Sequence, residues 1–326
     1  MVVKLMMQLH NSPRTSWCVR IIASIALLVT INGCGKDPVG GCRIDDDCPG
    51  AACVGGVCRP LAGADLSGSA VDLGAGADLA TPIPDGWNPD ALTATCSFNS
   101  DGTLQRAEEP FVVGLGALFA VNASGTNVPV NNVPTNNTWD FSAAVSSEAK
   151  QFDQLVSPSG QWWSADFPDA TYGERIDDGQ QAYGVFKVSA DKLELLGVVS
   201  EQNSVSATKL KYATPIVVLE FPMSLNTTWT SESDVSGTAG GFAFFAHEKY
   251  VFAVDKRGTT KTPAGSFDTL RLKMSYSQLY GALTTTRITY LHLAECYGAV
   301  ARVRSKDNET SADFTQAAEY RRLANP

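Results

Sequence analysis

From residue 182 onward the chain is written in short alternating runs, and this confines it to sheet structure. "AYGVFKVSA" (Ala182–Ala190), "KLELLGVVS" (Lys192–Ser200), "PIVVLEFPM" (Pro215–Met223), "TLRLKMSYS" (Thr269–Ser277), "TTRITYLHLAE" (Thr285–Glu295) and "GAVARVRSK" (Gly298–Lys306) are rich in β-branched and aromatic residues. Such residues suit a pleated, half-buried surface. Turn-forming residues separate the runs, as in "DDGQQ" and "TPAGSFD", so each run stops where the backbone bends. In "TLRLKM", Leu270, Leu272 and Met274 fall on one face, with Arg271 and Lys273 on the other. That period of two predicts an antiparallel sheet with one buried and one wet face. No amphipathic run of about twelve residues competes; Ser142–Leu155 is the one segment read as a short helix. The expected fold is mainly β. It is a single large curved antiparallel sheet, a half-barrel or sandwich, in one domain over residues 91–326.

Upstream the composition changes abruptly. Ile21–Ile31 is an apolar run of eleven residues, short of the about 20 that cross a bilayer and within the roughly 7–15 of a signal-peptide core. Lys4, Arg14 and Arg20 precede it, with no acidic residue before Cys34, and the long basic region leaves Met6 and Met7 as alternative starts. The run ends in Ile31-Asn32-Gly33-Cys34, which resembles a bacterial lipobox. The resemblance implies diacylation of the Cys34 thiol, cleavage before it and acylation of the new amino terminus. With Gly35 after the cysteine, it also implies a lipid-anchored place in the outer membrane or at the cell surface. An ordinary cleaved signal followed by an unrelated cysteine is the alternative. Residues 1–33 are then the signal peptide and 34–41 the anchor segment.

Loss of residues 1–33 leaves 22 basic against 34 acidic residues, moving the net charge from −9 to −12. Nucleic acid is a poor partner for such a chain, because its phosphates need Lys and Arg. Anionic lipid is equally poor, so attachment to the membrane falls to the acyl chains, at about 0.8 kcal/mol per buried methylene. The basic clusters "RVRSK" (Arg302–Lys306) and "YRR" (Tyr320–Arg322) are read as solvated faces.

Beyond Cys18 and Cys34, six cysteines remain: Cys42, Cys48, Cys53, Cys58, Cys96 and Cys296. An even number in an exported chain predicts three disulfides. Residues 42–58 have the spacing C-x5-C-x4-C-x4-C and too few large apolar side chains for a core, so crosslinks must substitute. The expected pairs are 42–53, 48–58 and 96–296, the last clipping the first strand region to a late strand. The short segment resembles small cysteine-rich modules near the anchors of bacterial surface lipoproteins. It lacks the C-x2-C pairs of zinc sites, and Asp45, Asp46 and Asp47 read as a solvated acidic turn rather than a calcium loop. Residues 59–90 repeat Asp-Leu at 65, 72 and 78 among Gly, Ala and Ser. They read as a flexible tether with a typical reach of roughly 30 Å, a weakly helical segment being the alternative.

"TPAGSFDTLRL" (Thr262–Leu272) and "YLHLAECYGAVARVRS" (Tyr290–Ser305) together are similar to the ending of many bacterial exported β domains. "FPMSLNTTWTS" (Phe221–Ser231) resembles their tryptophan strand, and "NNTWDFS" (Asn136–Ser142) a first copy of it. The resemblance implies a strongly curved antiparallel sheet and carries no activity.

Signals of chemistry are sparse. Only His247 and His292 follow the signal; a site built on them would enlist Glu248 or Glu295. No G-x-S-x-G elbow, H-E-x-x-H or P-loop occurs, and no motif asks for a cofactor. "WSADFPDATYGERIDD" offers Asp166, Asp169, Glu174, Asp177 and Asp178, acidic turns in an acidic chain. Trp162 and Trp163 are the candidate binding residues: on a strand they would face opposite ways, one into the core and one outward to stack on a sugar or anchor a partner, the alternative being that a neighbouring loop buries both. The expected role is non-enzymatic, structural or binding, at the envelope, with a protein, glycan or lipid ligand. A carrier of an apolar ligand in the curved sheet, or a hydrolase of a surface polymer, are the alternatives.

Overall fold

The computed structural model describes residues 51–54, 57–60, 96, 98–122, 127–177 and 182–325. Two compact units, Met1–Ala75 and Gly76–Pro326, divide the chain. In the first, β1 (Ala51–Val54) and β2 (Val57–Pro60) form an antiparallel hairpin in which Cys53 lies opposite Cys58. Gly55-Gly56 stands between the strands in sequence, a two-residue hairpin signal. The expected signal peptide (residues 1–33), the expected lipidation residue Cys34, Cys42 and Cys48 with their predicted pairs, Asp45–Asp47 and residues 61–90 of the expected tether lie outside the described residues.

The second unit is dominated by one fourteen-stranded sheet. In chain order the strands are β3 (Thr103–Leu104), β4 (Gly116–Asn122), β5 (Val128–Pro129), β6 (Thr138–Asp140), β7 (Ala149–Gln154), β8 (Tyr172–Asp177), β9 (Ala182–Val188) and β10 (Lys192–Ser200). There follow β11 (Lys209–Glu220), β12 (Met223–Ser224), β13 (Thr228–Ala239), β14 (Phe242–Thr262), β15 (Gly265–Tyr280), β16 (Leu283–Ala294), β17 (Gly298–Ser305) and β18 (Gln316–Leu323). Twelve run in the order 7-4-18-17-16-15-14-13-11-10-9-8, β5 and β6 join β18 and β14 from the side, and β3 pairs separately with β12. Every pairing is antiparallel except β6 with β14. The path returns on itself: Val156, just past β7, and Gly173 of β8 exchange two backbone hydrogen bonds of 2.9 Å. The sheet is therefore a nearly closed barrel. Gly173 permits this closure, since a Cβ there would stand 3.0 Å from Val156 and 3.2 Å from Trp163.

Inward alternation builds the main core from Phe186, Leu193, Leu219, Phe252, Leu272 and Leu293 among others. Two breaks in period do structural work. In "KLELLGVVS" a bulge between Leu195 and Gly197 turns Leu193 and Leu195 inward and Leu196 toward an outer cluster. A Cβ on Gly197 would meet the Leu210 carbonyl at 2.3 Å, so the bulge requires glycine. In β14 a bulge at Asp255 reverses the faces of its last turnward residues.

The outer face is less wet than the alternation predicts. Residues 127–148 cross β14 to β18 and bury Trp139 and Phe141 against Tyr290, Val303 and Tyr320. Residues 157–171 cover β9 and β10 with Trp163 and Phe167. Arg271, expected on the solvated face, is buried. It holds Asp255 through two bonds of 2.8 and 2.6 Å, donates to the Asn132 carbonyl at 2.7 Å, and lies over Tyr290. The basic clusters are likewise not solvated faces. Arg321 and Arg322 are buried, while Arg302 and Arg304 clasp the buried Glu319 at 2.6 and 2.8 Å. The segment read as a short helix, 142–155, contains β7 instead, because β4 offers it a sheet edge.

The Cys96–Cys296 disulfide is present, with a Cα separation of 5.6 Å. Cys296 lies in the turn between β16 and β17 rather than in a strand, so the bond ties the entering chain to the barrel's rim.

Candidate functional site

At one end of the barrel the inward side chains do not fill the space, and a partly enclosed cavity of about 240 Å³ remains. Its apolar wall includes Phe119, Phe186, Leu193, Leu219, Leu291 and Leu293; six charged side chains, Glu109, Asp153, Glu174, Arg175, Arg302 and Arg321, share it. A mainly apolar concavity with a few convergent polar groups has the composition of a small-molecule site.

The rim is held by the incoming chain. The short 3-10 turn Arg106–Glu108 leads into Glu109, Pro110 and Phe111. The Cys296 N–H donates to the Glu108 carbonyl at 2.8 Å, beside the disulfide. Glu295 accepts the N–H groups of Asn99 and Ser100 at 2.8 and 2.9 Å. Phe111 stacks on Tyr172, with centroids 5.9 Å apart, beneath the Arg106 guanidinium.

Charge in the wall is paired. Asp153 takes Arg321 at 2.5 Å and Arg175 at 3.3 Å, and Glu319 behind the wall takes Arg302 and Arg304. Arg321 also lies 3.7 Å from the centroid of Phe119. Glu108 is saturated, accepting from Asn99 Nδ2 at 2.7 Å and from the Gln105 N–H at 2.7 Å. Glu109 differs. It is only 3% exposed, and its Oε1 has no hydrogen-bond partner among the described residues. Burial, reinforced by Glu174 and Glu108 against Arg106, pushes its carboxyl up to about 8. The Tyr172 hydroxyl, packed behind Phe111 and Phe186, is also buried without a partner. Burial pushes that phenol up, and the charges of Glu174 and Glu109 push it further.

A second inward cluster is closed upon itself. The Glu248 carboxylate accepts from Tyr212 at 2.7 Å, Tyr250 at 2.7 Å, Tyr276 at 2.9 Å and Gln278 at 2.8 Å. With four donors satisfied it clamps β11, β14 and β15 together.

The residues singled out by sequence fall elsewhere. His292 is buried on the outer face against Trp139 and Phe141, bonded to Thr260 at 2.8 Å; burial and Arg271 hold it down to about 3. His247 is exposed and paired with Asp234 at 2.9 Å. The register carries His292 through Arg271 to Lys256, nine residues from His247, on the order of 30 Å along the strand. Glu295 serves the rim, and Asp166 pairs with Lys209 at 2.9 Å. Of the acidic set Glu174 lines the cavity; the Asp177 side chain and Asp178 lie outside what the structure describes. No group of three or more His, Cys, Asp or Glu among the described residues is arranged for a metal ion.

Against family models, curated proteins and solved structures the chain finds no match.

"QWWSA" is a turn leading into the 3-10 segment Ser164–Asp166, not a strand. Trp163 is buried with Phe167, Val185 and Val199, while the half-buried Trp162 donates to the Ser200 carbonyl at 3.2 Å. Sequence reading missed Glu109 and took Arg302 and Arg321 for solvated faces, whereas they line the cavity. The available signal was the pair of adjacent acids before Pro110 and the arginines spaced at two on "RVRSK".

Proposed function

We propose that the barrel is a binding module for a small, largely apolar ligand, exported and held at the bacterial outer membrane or cell surface by acyl chains on Cys34. The cavity carries this reading. Its volume of about 240 Å³ falls just under the roughly 300–1,000 Å³ of drug-sized sites, so the ligand is smaller than a membrane phospholipid. The activity in this reading is non-enzymatic carriage or presentation.

Two experiments test the two halves. Native mass spectrometry of mature protein extracted from its own membranes should show a small bound mass that leaves on unfolding. Ala117→Phe, which places a ring in the cavity wall, should abolish it. Wild-type protein free of bound mass, taking up no apolar probe, refutes the binding module. For the anchor, Cys34→Ala should lose palmitate labelling and membrane fractionation; an unlabelled wild type refutes that half alone.

A further inference from the structure

We propose that the cavity selects a ligand whose head group is uncharged and hydrogen-bonding, a hydroxyl or a carboxamide, and that Glu109 receives it. This rests on the reading of the barrel as a ligand-binding module and goes on to name the chemical class.

The wall's own pairing decides the class. An anionic head would need a free cation, yet Arg321 and Arg175 are engaged by Asp153, and Arg302 by Glu319. A carboxylate ligand would have to compete for an arginine already held by a buried acid, weakening a buried ion pair to make its own. A cationic head would need an ionised acceptor; Asp153 Oδ2 is already ion-paired with Arg321, and among the described residues the buried carboxyl oxygen of the wall with neither a hydrogen bond nor an ion pair is Oε1 of Glu109, 3% exposed. Charging it there means desolvating it beside Glu174. The group is kept neutral by that burial, and a neutral carboxyl offers one O–H donor and one acceptor. A hydroxyl or amide matches both. The Glu109 Oε1 on the cavity wall has no hydrogen bond among the described residues, and buried polar groups in native proteins seldom go unsatisfied.

The charge state gives the proposal a pH signature. The groups facing Glu109 are Arg106 and Glu108 from its own turn, Tyr172, Glu174 and Arg175 from β8, Asp153 from β7, Arg302 from β17 and Arg321 from β18. Below the Glu109 transition at about 8 the carboxyl is neutral and donates; above it the carboxylate loses the donor and resists being covered by a ligand. Uptake of a neutral ligand therefore weakens as pH rises through that point.

Titration calorimetry of the mature protein would use 1-octanol, octanamide, octanoate and octylamine, near pH 6.5 and near pH 9.5, either side of about 8. Octanol and octanamide should bind near pH 6.5 and weaken at least about tenfold near pH 9.5. Glu109→Gln, which mimics the neutral carboxyl, should keep the affinity within about threefold and abolish the pH dependence. Glu109→Leu should lose at least about tenfold near pH 6.5; unchanged melting and circular dichroism show that it folds, and the Gln variant carries the test if it does not. Tighter binding of octylamine or octanoate than of octanol overturns the head-group assignment and leaves the binding module standing. So does octanol binding that ignores both substitutions. Failure of all four probes overturns the module itself.

Discussion

Joint replacement of Cys96 and Cys296 by alanine removes a crosslink that spans 200 residues, nearly the whole barrel. In the chain-entropy treatment a loop of that length restricts the unfolded chain by about 5 kcal/mol at 25 °C. Contacts at the same place survive the substitution: Glu295 still accepts the Asn99 and Ser100 N–H groups, and residue 296 still donates to the Glu108 carbonyl. The native crossing therefore persists, and the loss falls on the unfolded side, where residual compaction reduces it. We expect a stability loss of about 3–5 kcal/mol. At about 2–4 °C per kcal/mol for a domain of this size, the melting temperature falls by about 6–20 °C. Urea titration followed by tryptophan fluorescence gives the free energy, and calorimetry gives the temperature. Wild-type protein under reductant should coincide with the variant. A difference below about 1 kcal/mol between variant and oxidised wild type would refute the entropic argument.

Three further outcomes follow from the interior. Glu248→Leu strands three phenols and an amide, so urea unfolding should show a loss of about 3–5 kcal/mol, with Glu248→Gln clearly milder. His292 is held down to about 3 from 6.5. The unfolded chain therefore binds its proton first, and stability is full above 6.5 and lost as pH falls toward 3. Between pH 7 and pH 4 this group should remove about 3 kcal/mol, and His292→Phe should flatten the stability profile over that interval. Trp163→Ala should cost about 3–5 kcal/mol by opening the cluster with Phe167 and Val199, and Trp162→Ala under about 2. Equal losses would mean that the two rings share the same burial.

Much of the sheet was legible because its signal is local. Lys192–Ser200 matches β10, and Gly298–Lys306 and Thr285–Glu295 sit within a residue or two of β17 and β16, since period two and turn residues act within a few positions. What failed depends on a remote partner. Arg271 alternates correctly yet is buried, because Trp139 and Asn132, more than a hundred residues earlier, arrive to cover it. Lys150 to Gln154 reads as polar and helical until β4 supplies the edge that makes it a strand. The site was less legible still. Glu108 and Glu109 are adjacent and identical in type, yet one is saturated by Asn99 and Gln105 and the other is bare. Only the closing of the barrel assigns them different neighbours.

The ring is fastened at Val156 and Gly173 by one isolated bridge, reinforced by the Arg175–Asp153 pair. A cylinder stitched at one point has a preferred place to part. Thermal opening there would bare two strand margins at once and unroof the chamber beside Asp153 and Glu174. That seam would thus also be where the molecule is most prone to pair with its neighbours.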